Sequence, residues 1–461
     1  MNTKSLKQKI LDLAIRGKLV LQDPNDEPAS VLLQRIRAER EQLIVQGKIK
    51  RTKTTSDNQH YQNVPFEIPS SWKFATLELV CSKIGSGSTP RGSNYATSGI
   101  PFFRSQNVYD DGLVYDDIKF ISEDIHQQMK STEVLPNDVL LNITGGSLGR
   151  CAVVPLDFER GNVSQHVCIL RPIIVETQFL HCFILSGHFS QTMKVTGSGR
   201  EGLPKYNLEK MIMPIPPLKE QRGIIAEVNR WFSLISDLER NESELNEIIK
   251  ATRTKVLDLA IHGKLVPQDP NDEPATELLR RINPCIKPCD TSHYENLPQG
   301  WCILTVGEVA DYINGRAFKP SEWEKHGLPI IRIQNLNDGD ASYNYSTAKF
   351  EDKYLIHNGD LLFAWAASLG TYIWQKDDAW LNQHIFKVIP KPFILRDFLY
   401  YSFINMIDDF YAESHGTGMV HITKGKFEKR PIYIPPIKEQ QRIVDKIRLA
   451  LFSLDTITAE L

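Results

Sequence analysis

The chain has 461 residues, more than one hydrophobic core usually serves, so two or three domains are expected. Apolar residues make up 41% and charged residues 24%, which is ordinary globular composition. The formal net charge of −2 excludes a globally basic surface, so any contact with a polyanion must come from local clusters.

No apolar run is long enough to span a membrane, and the N-terminal MNTKSLKQKI lacks the apolar core of a signal peptide. A cytoplasmic location is expected, with no membrane partner. The seven cysteines are odd in number and lack framework spacing, which suits reduced thiols. Cys285, Cys289, His293 and Cys302 could be imagined as a zinc set, but they lack paired CxxC spacing and lie around a Pro-rich linker. No metal site is expected.

In chain order, residues 1–60 open with an amphipathic helix that ends at Gly17, a residue suited to a helix C-cap. QDPNDEPA then makes a turn, ASVLLQRIRAEREQL resumes as a second helix, and polar RTKTTSDNQH (51–60) is a linker. Residues 61–214 mix short β-rich runs (DVLLNIT, CAVVPL, VCILRP) with a helical one (TQFLHCFILSGHF). Residues 215–293 begin with IPPLKEQ, whose prolines suit a helix start, and continue as a long stripe. Ile225, Val228, Phe232, Ile235 and Leu238 carry that stripe first, and Leu245, Ile248, Thr252, Val256 and Leu259 carry it onward. NPCIKPCDTSH (283–293) is again a linker. Residues 294–433 repeat the mixed pattern with DLLFAWA, TYIW, IFKVIP and LRDFLYYSFINMIDDFY. Residues 434–461 open on IPPIKEQ and show the cleaner stripe Val444, Ile447, Leu451, Leu454, Ile457 and Leu461.

The chain is a tandem duplication. LDLAIRGKLVLQDPNDEPA (11–29) returns as LDLAIHGKLVPQDPNDEPA (257–275), and IPPLKEQ returns as IPPIKEQ. Between these markers Trp72 matches Trp301, FFRSQNV matches IIRIQNL, and NDVLLNITGGSLG matches NGDLLFAWAASLG. SQHV matches NQHI, and Gly197-Ser-Gly matches Gly416-Thr-Gly. The second copy ends at Leu461, the counterpart of Glu242, while the counterparts of residues 247–266 are found at 1–20. The repeat is therefore circularly permuted. The expected fold class is α+β: two α+β globules separated by two long antiparallel helices in a coiled coil, as a pseudo-two-fold repeat.

Catalytic signatures are missing. No GxxxxGK[ST] occurs, no glycine-rich cofactor fingerprint follows a strand, and the Pro-Pro pairs lack the preceding Asn or Asp of an amino-methyltransferase site. Asp138 and Asp360 occupy equivalent places and are read as strand-entry turn residues. Gln165–His166 and Gln383–His384 are read as structural, since neither pair has a nucleophile or second ligand beside it.

The duplicated globules, each closing on IPP(L/I)KEQ and a long helix, carry a resemblance together with AI(R/H)GKLV and the following (S/T)xxLLxRI. SGSTPRG (86–92) and GTGMVHITKGKF (416–427) add to it. The chain resembles the specificity subunit of Type I restriction–modification enzymes along essentially its whole length. The resemblance implies a non-catalytic subunit with two target recognition domains that read double-stranded DNA. It implies a coiled coil that separates these domains and binds two methyltransferase subunits, joined by translocating restriction subunits. No cofactor is expected on this chain; S-adenosylmethionine, ATP and Mg belong to the partners, which methylate adenine and cleave DNA.

Two unlike modules imply an asymmetric bipartite target. Residues common to both copies cannot encode different bases, so Arg104/Arg332, Gln106/Gln334 and Asn107/Asn335 are expected to hold phosphates or the module frame. Residues taken as copy-specific are the candidate base readers: Ser88, Thr89, Arg91, Arg150, Arg200 and Lys205 in the first module, Arg316, Lys319, Thr417, His421 and Lys424 in the second. The rival reading is a non-enzymatic two-module scaffold for protein or glycan ligands, which the near-neutral charge favours. The loops rich in Arg, Lys, Ser and Gly favour DNA.

Overall fold

The structure is a computed structural model that describes residues 2–51, 65–90, 92, 94–196, 202–286, 288–289, 297–413 and 422–460. It divides into two compact units, Met1–Asn241 and Glu242–Leu461. The division falls inside one 44-residue helix, Leu218–Ile261, within its polar ERNESE run.

The first unit opens with helices α1 (Thr3–Ile15) and α2 (Ala29–Val45). Strand β1 (Lys73–Thr76) then pairs antiparallel with β10 (Ile212–Ile215), the strand that leads into the double proline. Between them lie β2 (Cys81–Ser86), β3 (Ile100–Phe103), β4 (Lys119–Ile121), β5 (Glu133–Val134), β6 (Val139–Asn142), β7 (Cys151–Val153), β8 (Gly161–Val163) and β9 (Val167–Pro172). One sheet has the order β2-β9-β6-β7 and a second the order β4-β3-β8-β5, in which β3 and β8 run parallel. Helix α3 (Thr177–Leu185) follows, and the long helix Leu218–Ile261 is α4.

The β2-β9-β6-β7 sheet is buried on both faces, which is why β6 reads as the continuous run VLLN with every residue inside. Side chains alternate across it. Val139, Leu141, Cys168 and Leu170 face the core shared with α1, α3 and the start of α4, and Leu140, Ala152, Val167 and Ile169 face the second sheet.

The second unit repeats this topology, except that the short hairpin Val108–Tyr109/Gly112–Leu113 of the first has no counterpart among its described residues. Its strands are β11 (Cys302–Thr305), β12 (Ala310–Asn314), β13 (Leu328–Ile331), β14 (Asn344–Ser346) and β15 (Leu355–Ile356), followed by β16 (Leu361–Ala364), β17 (Gly370–Ile373), β18 (Ala379–Leu381), β19 (Ile385–Pro390) and β20 (Pro431–Ile434). The sheets are β11-β20, β12-β19-β16-β17 and β14-β13-β18-β15, with β13 and β18 parallel. Helices α5 (Ala275–Ile282), α6 (Arg396–Glu413) and α7 (Ile437–Glu460) complete it.

Each unit has an antiparallel helix pair. In the first, Ile10, Leu11, Ala14 and Ile15 of α1 share a core with Ile224, Val228 and Ile235 of α4, and Lys7 pairs with Glu239 at 3.0 Å. In the second, Leu257 and Ala260 of α4 share a core with Ile443, Val444 and Ile447 of α7, and Arg253 pairs with Asp455. The N-terminal helix thus does in the first unit what the last turns of α4 do in the second, as a permuted repeat requires. The seam departs from the expected stripe. Ile224, Ile249 and Leu257 are buried where Ile225, Ile248 and Val256 were expected, and Ile248 is 62% exposed. Adjacent apolar residues leave the phase of a stripe ambiguous by one position, and packing decides it. Leu238 and Ile457, also expected on the seam, are exposed.

The two duplicated motifs interlock. After α1, Lys18 N–H donates to Leu13 O at 2.9 Å and Gly17 N–H to Ala14 O, the Schellman arrangement, with Gly17 at φ +68°. Gly263 does the same at φ +66°. Gln22 Nε2 then donates to Gly17 O (2.8 Å) and Glu220 Oε1 (3.0 Å), while Trp72 Nε1 donates to Glu220 Oε2 at 2.9 Å. Gln268, Gly263, Glu439 and Trp301 repeat this set at 2.7, 3.1 and 3.0 Å. Burial pushes the Glu220 and Glu439 carboxyls above their usual range. The neighbouring Gln221 and Gln440 accept the backbone N–H of Glu176 and Leu395, tying the approach to α3 and α6 to the same point. The QDPNDEPA turns match as well: Asp23 and Asp269 accept the N–H of Asn25 and Asn271, both at 2.9 Å.

Candidate nucleic-acid interface

A glycine opens the site in both modules. A side chain at Gly87 would put its Cβ 1.8 Å from Val163 O, and one at Gly315 2.0 Å from Asn382 O. Only glycine lets the chain cross the β8–β9 or β18–β19 connection this closely. Gly87 N–H donates to Val167 O and Gly315 N–H to Ile385 O, both at 3.0 Å. The following residues, Ser88 and Arg316, therefore stand at equivalent positions with different chemistry. Ser88 and Thr89 are exposed.

The second shared device is the turn after β3 or β13. Asn107 Oδ1 accepts Arg104 N–H at 3.1 Å, and Asn107 Nδ2 donates to Val114 O and Asp116 O. Asn335 Oδ1 accepts Arg332 N–H at 3.1 Å, and its amide donates to Ala341 O and Ser342 O. Both amides are buried and spent on bonds within their own turns.

What these turns present differs between modules. Arg104 Nη2 donates to Asp117 O (2.7 Å) and Oδ2 (3.1 Å), Gln106 Nε2 to the same oxygen at 3.0 Å, and Lys119 Nζ to Oδ1 at 3.0 Å. Lys119, Arg104 and Gln106 together hold the Asp117 carboxyl at about 2. In the second module Arg332 lies over the Trp323 ring at 5.7 Å and, among the described residues, has no ion-pair partner. Gln334 is exposed.

In the first module a cavity of about 520 Å³ gathers Thr89, Arg104, Gln106 and Arg150 from three separate segments. Tyr95, Ser105, Ser147, Ser164, Gln165 and His166 line the rest. The Gln165–His166 pair, expected to be structural, is thus part of its wall, with His166 Nδ1 2.8 Å from Thr144 Oγ1. Its counterpart His384 sits at φ +71° with its ring 4.8 Å from Trp365 and a buried Nδ1 without a partner. Sequence spacing could not show this, since the pair follows a strand and its ring direction depends on the turn. Asp138 and Asp360 do cap strand-entry turns, accepting Leu135 N–H at 2.7 Å and His357 N–H at 2.8 Å.

The remaining candidates fall out as follows. Arg316 donates through both Nη atoms to Glu322 (3.0 and 2.6 Å) and stacks on Phe318 and Phe350, so its charge is answered internally. Lys319 is exposed, and its N–H donates to the same Glu322, whose carboxyl is held at about 2 by Arg316 first and this contact second. Lys205 and Lys424, expected to be copy-specific, are equivalent: each starts a one-turn helix and pairs four residues on, with Glu209 at 3.3 Å and Glu428 at 3.5 Å. By the logic applied to Arg104 and Arg332, they cannot encode different bases. Arg91, Arg200, Thr417 and His421 lie outside the described residues, as does His293.

No helix among the described residues is long and apolar enough to cross a membrane. A family model for the Type I restriction modification DNA specificity domain matches residues 69–248 and 298–459. The Type I restriction enzyme EcoAI specificity subunit of Escherichia coli is 29% identical over 534 residues, covering 96% of this chain and 88% of the relative. The EcoKI specificity subunit of Escherichia coli strain K12 is 22% identical, covering 85% and 84%. Among solved structures, the HsdS subunit of Thermoanaerobacter tengcongensis aligns with a TM-score of 0.55 at 20% identity, covering 86% of this chain and 93% of that one. A chain described under complex assembly and conformational transition of the type I R-M system aligns at 0.63 with 20% identity, covering 86% and 94%. The two structural likenesses speak to the fold, and the family match spans most of the sequence. This chain belongs to the Type I restriction modification DNA specificity family.

Proposed function

We propose that this chain is the sequence-recognition subunit of a Type I restriction–modification complex. It reads an asymmetric bipartite DNA target, one half per module, and itself performs no chemistry. The observation that carries this reading is the pairing of one frame with two chemistries. Glycines 87 and 315 and the turns at Asn107 and Asn335 match, while the residues they present differ: Ser88 against Arg316, and Arg104 under Asp117 against Arg332 over Trp323. A pair of modules that bound one ligand class without reading its sequence would have no use for that contrast.

The helices support a scaffolding role. Trp231, Leu234 and Leu238 are exposed on the first-unit part of α4, and Leu449, Phe452 and Ile457 are exposed on α7. Apolar rows of this kind mark surfaces that a protein partner covers. The partners proposed are two methyltransferase subunits and the restriction subunits, which hold S-adenosylmethionine, ATP and Mg.

The test is a map of methylated adenines in cells with and without the chain, followed by exchange of one module for that of a relative. A bipartite motif should appear with the chain, and the exchange should alter one half of it only. Simultaneous change of both halves overturns the reading of independent modules. Methyl transfer by the purified chain, free of partners, overturns its non-catalytic role.

A further inference from the structure

Arg150 stands in the wall of the first module's cavity with its charge unanswered. Its guanidinium lies over the Tyr109 ring, 4.5 Å from the ring centre. Its Nη2 reaches Ser105 O at 3.5 Å, the outer limit of a hydrogen bond, and its buried Nε has no partner. Among the described residues it makes no ion pair, unlike Arg104 and Arg316. Beside it Ser164, 4% exposed, lines the same cavity with an unpartnered Oγ. Buried polar groups without partners cost stability, and here they converge on one open space that a ligand could fill.

A planar fork suits two acceptors side by side, which either a phosphate or the O6/N7 edge of guanine supplies. The repeat discriminates between these. Every duplex offers phosphates to both modules alike, so a phosphate receptor built into the frame should recur, as the arginine at 104 and 332 does. In the second module Gly370 stands opposite Ala364 as Arg150 stands opposite Asn142, so the position of Arg150 is taken there by a residue with no side chain.

We propose that Arg150 is a specificity-determining residue of the first module, donating through its fork to O6 and N7 of one guanine. The proposal rests on the DNA-reading function above and names the base that one residue selects.

The experiment uses the full chain assembled with its methyltransferase subunits. Methylation mapping of the wild type first yields the bipartite motif; absence of any motif would count against the DNA-reading function itself. With a motif in hand, Arg150→Ala and Arg150→Lys should each lose preference for one guanine in the first module's half by about tenfold to a hundredfold. The second half stays intact and reports that the variants fold. Lysine fails although it keeps the charge, because it lacks the fork. Independently, wild-type complex should bind an oligonucleotide carrying 7-deazaguanine at that position more weakly, and the Arg150→Ala complex should not distinguish the two oligonucleotides. An unchanged motif in both variants overturns the proposal. So does a uniform loss of affinity on all sequences that lysine rescues, which would make Arg150 a phosphate contact.

Discussion

The two modules share a backbone and invert their charges. In the first, the shared arginine, Arg104, is neutralised by Asp117, and the copy-specific Arg150 faces a cavity uncompensated. In the second, the shared Arg332 lies over an aromatic face and has no ion pair among the described residues, and the copy-specific Arg316 is clamped by Glu322. Duplication accounts for the one arginine common to both turns, each module adds another of its own, and one acid per module decides which of the two a polyanion can use. A surface with little net charge can still offer a strong local contact if its acids are spent on chosen partners.

The largest expected effect tests whether the frames are as equivalent as their hydrogen bonds suggest. Trp72→Ala and Trp301→Ala each remove a buried indole from a core and leave one carboxylate oxygen without its donor, so each should cost about 3–5 kcal/mol in its own unit. Hydrogen exchange resolved by peptide would read the two units separately. Similar losses confined to the mutated unit are expected; a loss in one variant alone would show that the matching geometry hides different energetics. The clasp also has a pH sign. Burial raises the Glu220 and Glu439 carboxyls, so the folded state holds those protons more tightly than the unfolded chain. The stability linked to them is fully present below the ordinary carboxylate range and declines as pH rises through the raised values.

Much of this frame was legible in the amino-acid sequence because the chain states it twice. The duplicated LDLAI(R/H)GKLV and IPP(L/I)KEQ segments announced the permutation, and Gly17 and Gly263 announced their caps. That Gln22, Trp72 and Glu220 meet was not legible, since the three come from segments far apart in sequence. The helical seam was off by one position at Ile224–Ile225 and Ile248–Ile249, where two apolar residues stand together, though not at Leu234–Ile235. The site was legible only as a roster of cations. Which of them is spent depends on Asp117 and Glu322, acids on turns whose direction no periodicity encodes. Lys205 and Lys424 are a different case: aligning the two copies to IPP(L/I)KEQ already pairs them, and their grouping as copy-specific was an error the repeat itself corrects.

A smaller effect separates the two shared arginines. For the assembled complex, Arg332→Ala should lower affinity on all sequences and reduce the slope of log affinity against log salt by about one unit. Arg104→Ala should change that slope less, since Asp117 already answers part of its charge. Equal slopes for both variants would mean that Asp117 gives way when DNA binds, and the asymmetry would then belong to the free protein alone.

The smallest effect concerns Asp117 itself. It sits at φ +50°, a conformation that asparagine adopts almost as readily, so Asp117→Asn removes the charge while keeping the turn. Lys119, Arg104 and Gln106 depress its carboxyl to about 2, so the wild-type carboxylate favours the folded state above the ordinary value of 3.8, and that contribution is lost as pH falls toward 2. The variant should therefore show a flatter dependence of melting temperature on acidification between these limits. Because the group is exposed, the difference should be slight, as surface ion pairs generally are. On DNA the consequence has the opposite sign. With its carboxylate gone, Arg104 and Gln106 are released toward the cavity, and affinity should rise modestly on every sequence, with a salt slope steeper by up to about one unit. If instead Asp117→Asn left general affinity alone and changed the preference at one base pair, the carboxylate would be accepting from a base amino group, and Asp117 would count among the readers and not among the groups that restrain them.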